Sequence, residues 1–276
     1  MTELSSINGK FPKRITKIDG VYYILKYPYI TDENIILPLH LTEFISCRIL
    51  EFLKEPVQET KLGYYLNDEV VFVKKFDKNI IPIYTMGSYT LNTDNIPNKS
   101  LNNNKIELLE KIIKNENKFE KIFTIILLDK LILNTDRHLG NIAIYENGKL
   151  SPSYDNGLTL GVDRYFIDKN KESEYIISKY KMQFRYKGKR MNFKTFLNKY
   201  DYIIENLNIN YLNNLKYKIE ELEIYKIIDE IPLEMREKYK EYINFIENLI
   251  RINKIIVING IDNIKKLKIG GDLSWT

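Results

Sequence analysis

Apolar and polar positions alternate in pairs of short runs along the first part of the chain. Residues 14–18 and 21–26 flank Asp19-Gly20 and predict an antiparallel hairpin. Residues 62–66 and 70–76 flank Asn67-Asp68 and predict a second. Between them, residues 38–54 carry helical spacing, with Pro38 suited to a first turn. The predicted order is strand, strand, helix, strand, strand. Residues 77–104 follow neither period; Gly87-Ser88 and the stretches 92–97 and 102–104 mark loops. From residue 105 to 133 the spacing turns helical: Ile106, Leu109 and Ile113 share one face, and residues 122–128 are apolar nearly all round. Residues 134–154 read as a loop and a hairpin, with a strand over 142–145 and a turn at Glu146-Asn147-Gly148. The rest reads mostly as helices; Tyr239, Tyr242, Ile243, Ile246 and Ile250 form one stripe.

This pattern is α+β, with a boundary near residue 80: a small strand-rich region over 1–80 with one helix, and a larger, mainly helical one over 81–276. With 44% hydrophobic and 29% charged residues in 276, disordered and coiled-coil readings fall away. One cysteine, Cys47, excludes an intrachain disulfide framework. Two histidines, His40 and His138, argue against a histidine-based metal centre. A net charge of +5 allows an acidic partner without pointing to direct nucleic-acid binding. The first six residues lack the pattern of a signal peptide, and Asp129-Lys130 stops the longest apolar run. The expectation is a cytoplasmic protein without membrane insertion.

The sharpest chemical signal is Asn134-Thr135-Asp136-Arg137-His138-Leu139-Gly140-Asn141, where a long apolar helix ends and a short strand begins. Asp136 and Asn141 share this loop, and Asp155 follows the hairpin in Tyr154-Asp155-Asn156-Gly157. Asn141 and Asp155 suit a magnesium ion completed by water and phosphate oxygens. Asp136 suits the carboxylate that accepts a proton from a hydroxyl acceptor. The D-x-x-x-x-N spacing with a later metal Asp occurs in protein kinases. Taken alone, Asp136 and Asn141 read first as turn- or helix-capping residues; the surrounding order of elements shifts the reading to chemistry. Arg137 is read equally as a phosphate ligand or as the partner of a loop carboxylate, and His138 as a buried brace of the loop.

The first region offers complementary groups. Residues 5–10 are small and polar; Ser6 and Gly9 could present backbone N–H groups to phosphates. Lys26 ends a predicted strand, and Glu43 lies beside the apolar face formed with Cys47 and Leu50. An inward carboxylate needs a cationic partner, and Lys26 is the natural one. Val73 and Phe76, on the last strand of this region, are candidate apolar contacts for an adenine ring.

These blocks together resemble the HipA-type serine/threonine kinases. Ser6-Ile7-Asn8-Gly9 through Pro12-Lys13 is similar to that family's small-residue loop, Tyr23 to Lys26 to its ATP-binding strand, and Leu41 to Phe44 to its helix glutamate. Val73 to Asp77 is similar to its hinge strand, Asp136 to Asn141 to its catalytic loop, and Tyr154-Asp155 to its metal-binding turn. The resemblance implies a bilobal protein-kinase-like fold, ATP and Mg2+ as cofactors, and transfer of the γ-phosphoryl group to a protein hydroxyl. It implies autophosphorylation at Ser6, with Ser5 second, because Asn8 stands where another serine can occur. It further implies a possible toxin restrained by an antitoxin or companion subunit, and a substrate such as an aminoacyl-tRNA synthetase or another translation protein.

Two other readings compete. Asp-Arg-His-x-x-Asn also resembles the catalytic loop of phosphatidylinositol kinases, and a basic, aromatic stretch from Lys179 to Lys194 could meet a lipid headgroup, an RNA-bearing partner or an acidic protein surface. A non-catalytic nucleotide-binding module with the same fold is the second, and the filled roles at Lys26, Glu43, Asp136, Asn141 and Asp155 argue against it.

Overall fold

A computed structural model describes residues 11–76, 80–83, 106–113, 117–169, 171–187 and 189–268. Ser5, Ser6, Gly9 and Asp77, with most of the irregular stretch 77–104, lie outside the described residues. In chain order the elements are β1 (Lys13–Ile18), β2 (Val21–Lys26), β3 (Tyr29–Ile30), β4 (Ile36–Leu37), α1 (Leu39–Phe52), β5 (Thr60–Tyr65), β6 (Asp68–Lys74) and β7 (Ile80–Pro82). Then come α2 (Ile106–Ile112), α3 (Lys118–Leu131), a 3-10 turn (Leu139–Asn141), β8 (Ala143–Tyr145), α4 (Val162–Phe166) and α5 (Ser173–Lys179). The order closes with β9 (Arg185–Tyr186), β10 (Lys189–Arg190), α6 (Phe193–Lys199), α7 (Asp201–Glu205), α8 (Ile209–Glu220), α9 (Ile224–Asp229), α10 (Leu233–Lys238) and α11 (Lys240–Lys268). Antiparallel strands dominate the first part and helices the rest, so the fold class is the expected α+β.

The chain divides into two compact units, each assembled from three stretches. The first takes Met1–Lys78, Pro152–Ser178 and Glu223–Leu249; the second takes Asn79–Ser151, Lys179–Leu222 and Ile250–Thr276.

In the first unit, four antiparallel strands run in the order β1-β2-β6-β5. Asp19 (φ 49°) and Gly20 (φ 84°) make the β1–β2 turn, both left-handed as a two-residue hairpin of this hand requires. The β5–β6 hairpin turns at Leu66 (φ 51°) and Asn67 (φ 71°), one residue earlier than the sequence pattern suggests, because Tyr65 pairs with Asp68. That register keeps Leu62, Val71 and Val73 buried; a one-residue slip would turn them to the opposite face. Helix α1 packs on β5, β6 and α9. It is buried nearly all round, including the polar residues His40, Thr42, Glu43 and Ser46.

In the second unit, α3 is the central helix, in contact with α2, α6 and α7. Ile122, Phe123, Ile126, Leu127 and Leu131 are fully buried, as their all-round apolar pattern requires. The helical stretch expected over 105–133 is two helices, α2 and α3. Strand β8 pairs antiparallel with β7, and Gly148 (φ 79°) closes the turn behind it.

Candidate functional site

Lys26 is the last residue of β2, paired with Lys13 of β1 and Val71 of β6. The register delivers its ammonium to two carboxylates of the same unit. Lys26 Nζ donates to Glu43 Oε2 at 2.8 Å and to Asp155 Oδ1 at 2.8 Å. Lys13 Nζ stands 3.8 Å from Asp155 Oδ2. Burial alone would push the Lys26 ammonium down, but Glu43 and Asp155 outweigh it and hold its pKa above the ordinary lysine value. Lys26 therefore stays charged across the neutral range. Glu43 is fully buried on α1, and its second oxygen, Oε1, has no hydrogen-bond partner among the described residues. Such a carboxylate is tolerable only while its cation is present.

Asp155 sits in the left-handed region at φ 56°, a conformation that a non-glycine residue adopts at a cost. The residues after it are stitched to α1. Thr42 Oγ1 donates to Gly157 O at 2.5 Å. Thr159 Oγ1 donates to Asn156 O at 2.8 Å, so the 2.7 Å bond between Ser46 Oγ and Thr159 Oγ1 is donated by Ser46. Asn156 Nδ2 points at Cys47 Sγ at 3.6 Å. A Cβ on Gly157 would stand 3.4 Å from Glu43 Oε2, at ordinary van der Waals distance, so the turn packs directly against the Glu43 carboxylate. Thr42, Glu43, Ser46 and Cys47 fall at i, i+1, i+4 and i+5 and form one polar face of α1. Sequence reasoning picked only Glu43 from this face. The signal available was a polar run within an otherwise apolar helix.

Val73 is fully buried in the sheet, opposite Ile24 and Thr60. Phe76 is half-buried and meets the Tyr154 ring edge-on at 5.9 Å.

The loop carrying Asp136 and Asn141 belongs to the second unit. Helix α3 ends with Asn134 N donating to Asp129 O at 2.8 Å and Leu133 N to Lys130 O at 3.4 Å, the two-bond C-terminal motif that needs a left-handed residue. Leu133 fills that place at φ 49°, where glycine is the usual occupant. The chain thus turns sharply into the loop. Asn134 Oδ1 accepts from Asp136 N at 2.9 Å, an Asx turn that fixes where Asp136 starts. Asn141 Nδ2 donates to Asp136 O at 2.9 Å and to Asp136 Oδ2 at 3.3 Å. Two oxygens facing this amide settle its orientation and leave Oδ1 outside that pairing.

Arg137 is buried and takes the carboxylate partner rather than standing open, but the carboxylate is on a helix rather than a loop. Its Nε donates to Asp129 Oδ1 at 3.1 Å and Oδ2 at 3.3 Å, and its Nη1 to Asn141 O at 2.9 Å. Burial pushes the Asp129 carboxyl up to about 6, against the opposing pull of Arg137. His138 is exposed, not buried as expected. Its Nδ1 accepts from Gly140 N at 3.0 Å, which places the proton of the neutral ring on Nε2, 3.9 Å from Asp136 Oδ1.

Among the described residues no cluster of three or more His, Cys, Asp or Glu could hold a metal ion. The carboxamide oxygen of Asn141 and the carboxylate of Asp155 are hard donors of the type magnesium takes when phosphate and water complete its shell. Asp155 belongs to the first unit and Asn141 to the second, and each by its own donor chemistry fits magnesium. Among the described residues no helix is long and apolar enough to cross a membrane.

Comparison with curated proteins gives no significant match. Among solved structures, the chain is similar to the Helicobacter pylori proinflammatory kinase CtkA, with a TM-score of 0.69 at 19% identity, covering 98% of this chain and 95% of that one. It is also similar to HipA of the Shewanella oneidensis MR-1 toxin–antitoxin system, solved with HipB and operator DNA: TM-score 0.63, 15% identity, 95% of this chain and 67% of that one. These likenesses establish a kinase-like fold. A family model described as the HipA-like C-terminal domain matches residues 5–237. The chain belongs to the HipA-like C-terminal domain family.

Proposed function

We propose that this chain is an ATP- and magnesium-dependent protein kinase of HipA type, acting on a serine or threonine hydroxyl. The observation that carries this reading is the Lys26 ammonium held at 2.8 Å by both Glu43 and Asp155. Bound ATP supplies the phosphoryl group, and Mg2+ neutralises charge on its phosphates. Lys26 contributes a permanent positive charge to phosphate oxygens, and Glu43 orients it. Asn141 Oδ1 and the Asp155 carboxylate are the proposed magnesium ligands. Asp136 orients the acceptor hydroxyl and takes its proton. The Asp129–Arg137 pair holds the carbonyl of Asn141 through the 2.9 Å bond from Arg137.

Ser6 is the proposed autophosphorylation site, with Ser5 second. A phosphate there carries nearly two negative charges and competes with those of ATP. The HipB present in the Shewanella complex supports an antitoxin-like companion for this chain, and a translation protein remains the proposed acceptor.

The test is radiolabelled ATP with purified protein and a cell lysate, followed by phosphosite mapping. Asp136→Asn should lower transfer by about 100-fold or more while ATP binding persists. Transfer by Asp136→Asn at the wild-type rate refutes the assignment.

A further inference from the structure

The basic stretch after α5 has no part in the chemistry above, yet it is fastened to the loop that carries Asp136. Tyr180 OH donates to Asn134 O at 3.0 Å, and Gln183 Nε2 donates to Thr135 O. These acceptors are the two residues before Asp136. The stretch continues into the β9–β10 hairpin, extended by Met182 N to Met191 O at 2.8 Å and Met191 N to Phe184 O at 3.0 Å. Met182, Phe184 and Met191 are buried and anchor the hairpin, whereas Lys181, Lys187, Lys189, Arg190 and Lys194 are exposed. No acidic residue occurs between Glu174 and Asp201. Within the hairpin Arg185 stands opposite Arg190. The hairpin fixed to the candidate catalytic loop thus carries arginines at facing positions of its two strands.

The aromatic residues of this stretch discriminate between anionic partners. Single-stranded nucleic acid is held by open rings on which bases stack. Here Tyr180 and Phe184 are buried. The Tyr186 ring packs against Tyr200 at 6.4 Å and carries the Lys187 and Lys199 ammonium groups at 5.6 Å and 5.8 Å. What the surface offers outward is separate ammonium and guanidinium donors, which suit carboxylates.

We infer that Lys181, Lys187, Lys189 and Arg190 form a docking platform for an acidic segment of the protein substrate, held at a fixed place relative to Asp136. This rests on the kinase reading for its purpose, but not for its measurement. Equilibrium binding of a fluorescein-labelled peptide, four glutamates on each side of one serine, is read by anisotropy. The same peptide with lysines and a labelled oligouridine are compared with it. The acidic peptide should bind more tightly than both, and more weakly as salt is raised. Lys189→Glu with Arg190→Glu should weaken it about tenfold and gain affinity for the lysine peptide. Equal binding of the acidic and lysine peptides, or tighter binding of oligouridine, overturns the platform, and both comparisons use the unaltered protein. Acidic-peptide binding without any phosphoryl transfer keeps the platform and removes only the kinase reading.

Discussion

Replacing Arg137 by methionine should produce a stability loss that depends on pH in a way set by Asp129. With Arg137 present, the Asp129 carboxyl lies at about 6 in the folded state against an ordinary 3.8. A carboxyl raised on folding disfavours the folded state once it is ionised. The cost is absent below the unfolded value, grows as pH rises, and is complete above about 6. That rise corresponds to about 3 kcal/mol. Without the guanidinium, ionisation is pushed further up, and the carboxyl escapes by keeping its proton. Keeping it costs about 5 kcal/mol at about pH 7.5 and about 2 kcal/mol at about pH 5. The wild type already carries about 3 and about 2 kcal/mol at those two values. The part of the loss due to Asp129 is therefore about 2 kcal/mol near pH 7.5 and close to zero near pH 5. The lost bond to Asn141 O adds about 1 kcal/mol at either pH. Urea denaturation should report Arg137→Met as less stable by about 3 kcal/mol at the higher pH and about 1 kcal/mol at the lower. Asp129→Asn combined with Arg137→Met should leave about 1 kcal/mol at both. An equal loss at the two pH values would show that the buried carboxylate is not the origin.

His40 faces Glu69 Oε2 at 3.7 Å and the Tyr239 ring at 5.8 Å, and burial, with Lys238 assisting against Glu69, lowers it from 6.5 to about 4. A base depressed on folding costs stability as pH falls from 6.5 towards 4, by about 3 kcal/mol. His40→Leu should flatten the acid limb of the stability–pH curve in that window; an unchanged slope contradicts the assignment. Ser46→Ala removes one buried bond to the Asp155 turn and should cost about 1 kcal/mol in urea denaturation. On the kinase reading it should also raise the magnesium concentration needed for half-maximal transfer, and a loss of stability without that shift would make Ser46 merely structural.

The elements with a clean period were legible. The β1–β2 turn falls on Asp19-Gly20 because two left-handed positions and two alternating runs leave little choice. α1 and the apolar core of α3 follow from spacing in the same way. The short ladders β3 with β4 and β9 with β10 were not legible, having two residues per strand, too few for a period; β8 and its turn were legible, but its pairing with β7 was not. The one-residue shift of the β5–β6 turn to Leu66 was settled by which face of β5 and β6 is buried. His138 was expected as a buried brace of the loop; its Nδ1 does hold the 3-10 turn through Gly140 N, but the imidazole is exposed, because Arg137 and backbone turns fill the inside of the loop.

Residue identities alone determined which groups could do chemistry: a strand lysine, a helix glutamate, and Asp136, Asn141 and Asp155 at characteristic positions. They did so because ionisable and amide side chains are rare among apolar periods and need partners when buried. Only the tertiary structure decided which partner each one has. Lys26 reaches Glu43 and Asp155 because β2, α1 and the Asp155 turn fold into one unit, bringing together residues separated by 129 positions. Arg137 went to Asp129 and the polar face of α1 to residues 156–159 for the same reason: a hydrogen bond needs distance and angle, and both are set by packing rather than by sequence spacing.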